Sequence, residues 1–193
     1  MNASSALCTT LSFQRIGSGF QELDKVETLT LEAFPPEERV PAKDFLALAK
    51  KGLLDFWALR LGDAFAGYLC AMARDGMAYL SYLALISPLR GRGLGSAALQ
   101  ALRRQYSGCV QIVDLEPLDE SAANSAQRLR RRNFYLKNGY RPTGWFLSYS
   151  AGTFELLCAC GSFDRLRFQA LLTLLQHEVP EFHPILSQRD GQV

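Results

Sequence analysis

The sequence lacks the features that would assign it to a membrane or secreted class. No run approaches the ~18 apolar residues that cross a bilayer. The N-terminal segment has no basic stretch followed by a long apolar one. We therefore expect no membrane contact and a cytoplasmic location. No repeat, low-complexity tract or linker marks a boundary, so residues 1–193 are predicted to form a single domain.

A strong charge of either sign is also absent. The 21 Lys and Arg against 19 Asp and Glu leave a net charge of +2, too little for nucleic acid to be expected as a partner. The five cysteines are odd in number and lack CxxC spacing, which is typical of reduced core residues. Neither of the two histidines has the neighbours of a metal site, so no metal is predicted.

Apolar, aromatic-rich segments are what the sequence does contain. Three of them, at 54–60, 64–73 and 77–86, are separated by Gly-Asp and Asp-Gly pairs that favour antiparallel hairpins. Helical spacing predicts helices from Ser18 to Pro35, and over 42–51, 95–106, 121–138 and 163–176; further strands are expected over 11–16, 109–116, 143–149 and 153–160. This order predicts an α/β fold of the α+β type. Its mixed, mostly antiparallel sheet has about six or seven strands and carries helices on both faces.

The clearest local motif is a glycine-rich turn that follows the third hairpin strand and opens a helix. Glycines allow backbone amides to approach a ligand closely, and the first amides of a helix attract an anion. Two arginines add cationic donors, so a pyrophosphate is the natural ligand. The turn consists of Arg90, Gly91, Arg92, Gly93, Leu94, Gly95 and Ser96.

Three other interpretations of this turn compete with a coenzyme site. A simple strand-to-helix turn with solvated arginines needs no ligand. A Walker loop is excluded because no GK[ST] ends the run. A nicotinamide dinucleotide site stays open, since Gly93, Gly95 and Ala98 satisfy GxGxxA and Asp114 follows about 20 residues later. Against it, the preceding strands form hairpins rather than parallel βαβ units.

Two segments in this order carry a resemblance to a known family. LALISPLRGRGLGSAALQAL resembles the coenzyme A-binding motif of the GNAT superfamily of N-acetyltransferases, with its Q/R-x-x-G-x-G/A loop. RRRNFYLKNGYRP resembles the second GNAT signature, a helix that ends in a tyrosine and then Gly-Phe or Gly-Tyr. The resemblance covers residues 10–160. It leaves 161–193 as a C-terminal helical extension.

The resemblance implies where acetyl-coenzyme A binds. In GNAT enzymes the fourth and fifth strands splay apart and hold the pantetheine arm between them. The backbone of Leu83, Ala84 and Leu85 would bind that arm, and the glycine-rich turn would bind the pyrophosphate. Many relatives have Asn seven residues before the signature tyrosine; here Arg128 takes its place and would reach a coenzyme phosphate. Tyr135 would be the general acid that protonates the departing thiolate.

Carboxylates supply the candidates for the acceptor side. Glu116 ends the apolar run CVQIVDLE and is the first candidate for the base that deprotonates the amine, with Asp114 in reserve. An acidic residue at an exposed strand end explains Glu116 equally well. Glu37 and Glu38 lie between the first two helices and would attract a cationic amine, although helix capping also accounts for them.

The sequence thus predicts an N-acetyltransferase that moves an acetyl group from acetyl-coenzyme A to a primary amine by direct attack in a ternary complex. The acceptor is a small molecule, a protein N-terminus or a lysine, and homodimer formation stays open. Two other functions compete with this one: a nicotinamide dinucleotide-binding oxidoreductase, and a coenzyme A-binding module without catalysis.

Overall fold

The computed structural model describes residues 11–188 of the chain, which form eight strands and five helices. The strands are β1 (Leu11–Arg15), β2 (Asp55–Leu61), β3 (Ala64–Arg74), β4 (Met77–Leu85), β5 (Val110–Leu115), β6 (Arg141–Tyr149), β7 (Gly152–Ala159) and β8 (Ile185–Gln188). The helices are α1 (Leu23–Ala33), α2 (Ala42–Lys50), α3 (Leu94–Gln105), α4 (Ser125–Lys137) and α5 (Arg165–Glu178). A short 3-10 turn, Pro36–Glu38, joins α1 to α2.

All eight strands belong to one mixed sheet in the order β1-β2-β3-β4-β5-β7-β6-β8. Every neighbouring pair is antiparallel except β4 and β5, which run parallel. This confirms the predicted fold class. The sheet has one strand more than the sequence led us to expect, because β8 pairs with β6 at the far edge. Residues 161–188 therefore contribute a helix and an edge strand.

The sheet carries apolar residues on both of its faces. Helices cover both faces because these residues must be buried. One face packs against α1, α2 and α5 through side chains such as Val26, Phe45 and Phe168. The other packs against α3 and α4, with Leu99 and Tyr135 in its core. Alternate residues of a strand point to opposite faces, so the nearly continuous apolar runs of β2, β3 and β4 supply both cores.

The parallel pair β4 and β5 is joined along only part of its length. Its register runs from Met77 opposite Val110 to Leu80 opposite Val113 and then stops. At that point β4 also has one residue more than β3: Leu80 lies opposite Ala71 and Tyr82 opposite Cys70, which leaves Ser81 as a bulge. A bulge bends its strand. The rest of β4 therefore diverges from β5, and the predicted splay is confirmed.

Three local predictions differ from the structure. The helix predicted from Ser121 begins only at Ser125. The first helix begins at Leu23, not at Ser18, because residues 17–22 form turns instead. The cysteines are free, as expected, but Cys160 is exposed and Cys109 only partly buried, so the core assignment holds for Cys70 and Cys158. Cys8 lies outside the described residues. No helix between residues 11 and 188 is both long and apolar enough to cross a membrane.

Candidate active site

The gap between the splayed strands contains a cavity of about 120 Å³. Its wall includes residues 80–83 of β4, the last two residues of β5 and the next residue, Glu116. One side is closed by Ala33 at the end of α1, by Phe34 directly after it, and by Glu38 of the 3-10 turn. The other is closed by Arg131 and Tyr135 of α4, and Tyr149 and Phe154 complete the lining. The gap thus joins the two faces of the sheet.

Tyr135 lies in the last turn of α4 and is 9% exposed. Its ring packs edge-on against Tyr140, with ring centroids 5.4 Å apart. Burial disfavours the phenolate and raises the pKa of Tyr135 to about 12, so the hydroxyl keeps its proton at neutral pH. That hydroxyl makes no hydrogen bond to any residue of the described range. A protonated hydroxyl in the gap is therefore free to donate to a ligand.

The glycine-rich turn leaves backbone donors at the start of α3. The first backbone bond of the helix runs from the Ala97 amide to the Gly93 carbonyl. No side chain caps this end of the helix. The amides of Leu94, Gly95 and Ser96 accordingly donate to no backbone carbonyl within residues 11–188. Unpaired amides at a helix start form an anion site.

The glycines of this turn serve different purposes. Gly91 (φ 74°) and Gly93 (φ 80°) have left-handed backbones, and a Cβ at either would meet nothing within 4 Å. That open space lies beside the unpaired amides, so it fits a phosphate group. At Gly95 a Cβ would come within 3.1 Å of the Phe134 ring. Gly95 therefore allows α3 to pack closely on α4.

The two arginines of the turn are placed differently. Arg90 donates from Nε to the Leu85 carbonyl at 2.8 Å, and its NH2 lies 2.9 Å from Glu32. It therefore ties the turn to the end of β4 and to α1. Arg92 is exposed and makes no hydrogen bond or ion pair with a residue of the described range. Of the pair, Arg92 is the better placed to bind an anion.

Glu116 is held by three side chains. Its carboxylate lies 3.0 Å from Arg128 NH2 and 2.8 Å from Arg131 NH1, and it accepts a hydrogen bond from Asn124 Nδ2. Arg128 also donates to the Pro117 carbonyl. These contacts engage both oxygens of the carboxylate, so Glu116 offers neither of them freely to an incoming amine. Arg128 is therefore bound to Glu116 and Pro117 and not free for the coenzyme phosphate that the sequence analysis assigned to it. The same contacts attach the end of β5 to α4.

We expect Glu116→Gln to destabilise the protein by about 1–3 kcal/mol, because it leaves two half-buried guanidinium groups without their anion. Chemical denaturation of the variant and its parent measures this change. Glu120→Gln is the matched control, since Glu120 is exposed and close by in the chain. Equal stability of all three proteins would contradict a structural role for Glu116.

Glu38 and Asp114 are the remaining carboxyl groups of the cavity. Burial, with smaller contributions from Glu116 and Asp114, raises the pKa of Glu38 to about 7. Burial also raises the pKa of Asp114 to about 6, although a hydrogen bond with Tyr79 opposes the shift. The Glu38 carboxylate has no hydrogen bond or ion pair within the described range. It is thus the less constrained of the two.

A wider groove of about 620 Å³ adjoins the cavity on the α1 and α2 side. The two spaces share Glu38, Ser81, Tyr82 and Tyr149. The groove is lined by five carboxylate residues: Glu37, Glu38, Asp44, Glu178 and Glu181. Its two cations are already engaged. Arg39 donates to the Phe34 carbonyl, and Lys51 pairs with Glu178 at 2.7 Å. The groove therefore favours a cationic ligand.

The structure brings together only part of the residues that the sequence proposed, because Ala84, Leu85, the glycine-rich turn and Arg128 do not line the cavity. Tyr135, Leu83, Glu38, Glu116 and Asp114 all line the cavity. Glu37 lines only the outer groove. The sequence missed the aromatic residues of the lining, Tyr82 and Tyr149, because they are indistinguishable from core residues in strands. It also missed Arg131 as a partner of Glu116.

Comparison with known proteins identifies a domain within the chain. Residues 53–142 match the Acetyltransferase (GNAT) domain. This match bears out the resemblance to GNAT acetyltransferases, and nothing in the comparisons supports the dinucleotide oxidoreductase or the non-catalytic module. No curated protein matches the chain.

Solved structures with low identity share the fold. A putative GNAT acetyltransferase from Bacteroides thetaiotaomicron has a TM-score of 0.68 at 20% identity and covers 88% of this chain and 98% of its own. The ribosomal-protein-S18-alanine N-acetyltransferase from Escherichia coli has a TM-score of 0.58 at 15% identity, covering 80% and 96%. The aminoglycoside acetyltransferase AAC(6')-Ib in complex with coenzyme A has a TM-score of 0.58 at 14% identity, covering 83% and 98%.

Proposed function

Since the chain carries a GNAT acetyltransferase domain over residues 53–142, we propose that it transfers an acetyl group from acetyl-coenzyme A to a cationic primary amine. The amine attacks the thioester directly, with both substrates bound. The observation that carries this proposal is the gap between β4 and β5, which opens into an acidic groove on one face of the sheet. The unpaired amides at the start of α3 lie on the other face, beyond the end of β4.

The donor side consists of the α3 start and the open edge of β4. The pyrophosphate would lie against the amides of residues 94–96 and near Arg92, where the glycines leave room. Beyond Leu80, the edge of β4 that faces β5 has no strand partner. Backbone groups of Leu83 to Leu85 on that edge can pair with the amide-rich pantetheine arm. A backbone donor there would also stabilise negative charge on the thioester oxygen during attack.

The acceptor side is the acidic groove. An amine that enters it reaches the cavity past Glu38, opposite the α4 face that carries Tyr135. The two substrates therefore approach from opposite faces of the sheet and meet in the gap. Proteins with this fold include an aminoglycoside acetyltransferase and a ribosomal-protein-alanine acetyltransferase. For this chain the carboxylates support a positively charged acceptor, either a small polyamine-like molecule or a protein N-terminus or lysine.

The decisive experiment is a panel of amines incubated with the protein and acetyl-coenzyme A, read out as free coenzyme A thiol and as acetylated product. We expect thiol release that depends on the amine and is fastest with polycationic acceptors. Ligand binding is measured separately by thermal shift. We expect acetyl-coenzyme A to raise the Tm and nicotinamide dinucleotides to leave it unchanged. If the protein bound the coenzyme but released no thiol with any amine of the panel, it would be a coenzyme A-binding module and not an enzyme.

We expect Glu37→Gln to raise the KM for a polycationic acceptor by about 3- to 10-fold, because one attractive charge at the groove is lost. The KM for acetyl-coenzyme A and the kcat should stay close to the parental values. Initial rates with each substrate varied in turn measure the split. Equal changes in both KM values would indicate instead that the 3-10 turn has lost its structure.

A further inference from the structure

We propose that Glu38, held in place by Tyr82, is the group that removes the proton from the acceptor ammonium. This inference rests on the proposed acetyl transfer and adds to it the identity of the base. The sequence pointed to Glu116 for that task and gave Glu38 only an attractive charge.

The position of Glu38 is the first support. It is the one carboxylate residue that lines both the inner cavity and the outer groove. The other residues that the two spaces share are Ser81, Tyr82 and Tyr149, so Glu38 is the only ionised group at the passage between them within the described residues. Asp114 and Glu116 line only the inner cavity, on the β5 side of the gap. A base must lie within hydrogen-bond reach of the nitrogen that it deprotonates.

The freedom of its carboxylate is the second support. Glu116 is engaged by two arginines and an asparagine, and Asp114 accepts a hydrogen bond from Tyr79. The Glu38 side chain has no such partner within residues 11–188. A carboxylate whose oxygens are already engaged by neighbouring side chains is not open to an incoming ammonium group, whereas the Glu38 carboxylate is.

Tyr82 fixes the backbone that carries Glu38. Its hydroxyl donates to the Glu38 carbonyl at 2.7 Å. Its ring packs edge-on against Phe34 and Phe45, with centroids 5.0 and 4.8 Å away. Tyr82 follows the bulge at Ser81, so the same irregularity that opens the gap also directs this tyrosine toward the 3-10 turn. Tyr82 is thus a positioning residue.

The charges around Glu38 suit a base near neutral pH. Burial is the main cause that raises its pKa to about 7, and Glu116 and Asp114 of β5 and the adjacent Glu37 raise it further. Arg131 of α4 opposes them. The pKa values of Tyr82 and Tyr149, from β4 and β6, are themselves raised by burial, so both hydroxyls stay neutral. Glu38 therefore titrates where a carboxylate can both accept and release a proton.

The proposed step balances as follows. Glu38 takes one proton from the bound ammonium, and the nitrogen lone pair forms a bond to the thioester carbon. The carbon–sulfur bond breaks, and the thiolate receives a proton from Tyr135. The second nitrogen proton leaves to solvent, from which Tyr135 regains its own, and Glu38 releases its proton to solvent. The net products are the amide, coenzyme A and one proton.

The test compares Glu38→Gln with Glu120→Gln, an exposed glutamate that lines neither cavity, using the best amine from the panel. We expect Glu38→Gln to lower kcat/KM by about 10²- to 10³-fold at pH 8. In the parent and in Glu120→Gln, kcat/KM should rise with pH through about 7, the pKa of Glu38. This rise should disappear in Glu38→Gln. Tyr82→Phe should keep the rise, with kcat lower by about 3- to 10-fold from the loss of one hydrogen bond.

A stability control separates chemistry from folding. The pKa of Glu38 is higher in the folded protein than the 4.5 of a free carboxyl, so its charge disfavours the folded state as pH rises from 4.5 through about 7. Glu38→Gln should therefore have a Tm at pH 8 equal to or above that of the parent. If Glu38→Gln is slow but as stable as the parent, its loss of activity comes from the missing carboxylate and not from unfolding.

The assignment would be overturned by an active parent whose pH profile survives in Glu38→Gln. If that surviving profile vanished in Asp114→Asn, the role would pass to Asp114. If the parent itself releases no thiol with any amine, the proposed function fails and not this assignment alone.

Discussion

Tyr135→Phe is expected to lower kcat by about 10²- to 10⁴-fold, the usual contribution of a positioned acid. The hydroxyl lies in the gap, keeps its proton because burial raises its pKa to about 12, and has no partner within the described residues. Removing it leaves the ring packing intact and no buried group unpaired. Stability and acetyl-coenzyme A affinity should therefore stay close to the parental values, and single-turnover rates measure the chemical step directly.

Tyr140→Phe is the matched control for this experiment. Tyr140 packs against Tyr135, but its hydroxyl donates to Gln111 and does not line the cavity. We expect Tyr140→Phe to lose about 1 kcal/mol of stability and to keep its turnover. If Tyr135→Phe turned over like the parent while chemistry limits the rate, Tyr135 would not be the acid and water would have to protonate the thiolate.

Gly93→Val is expected to weaken acetyl-coenzyme A binding by about 10²-fold. Its side chain would project into the open space beside the unpaired amides of α3, and losing even two charge-assisted hydrogen bonds has an effect of this size. Titration calorimetry or the acetyl-coenzyme A thermal shift measures the change. An unchanged affinity would place the pyrophosphate elsewhere.

The control for Gly93→Val uses a glycine with the same backbone. Gly108 has a φ of 83°, against 80° for Gly93, and a Cβ there also meets nothing within 4 Å. It lies beyond the opposite end of α3. Both valine variants carry the same backbone strain of about 1–2 kcal/mol, so both should lose stability. Only Gly93→Val should lose affinity for the coenzyme.

Local signals explain why much of the fold could be predicted. Asp75 (φ 50°) and Gly76 (φ 76°) form the left-handed hairpin turn that an Asp-Gly pair favours. Helix α3 begins at Leu94, directly after the left-handed Gly93. In both cases the conformation depends on residues that are adjacent in the chain. The strands and helices followed from the same kind of information.

Features that depend on distant residues could not be predicted in this way. The strand β8 is mostly exposed, and it is a strand only because β6 offers it an edge. The ion pairs of Glu116 join a strand end to a helix 12 and 15 residues further along the chain. The single-domain boundaries and the roles of the individual site residues stay predictions.

The sequence by itself determined most of the helices and strands, and it carried both the resemblance to GNAT acetyltransferases and the prediction of an anion-binding turn, because each depends on short patterns of glycine, charge and apolar spacing. Only the tertiary structure decided which carboxylate is bound by arginines and which one is open to the acceptor. Glu116 and Glu38 are equivalent residues in a sequence. Folding placed Glu116 between two arginines that bind its carboxylate. It placed Glu38, which has no side-chain partner among residues 11–188, in a half-buried position where charge is disfavoured. Basicity depends on those surroundings, and residues far apart in the chain create them.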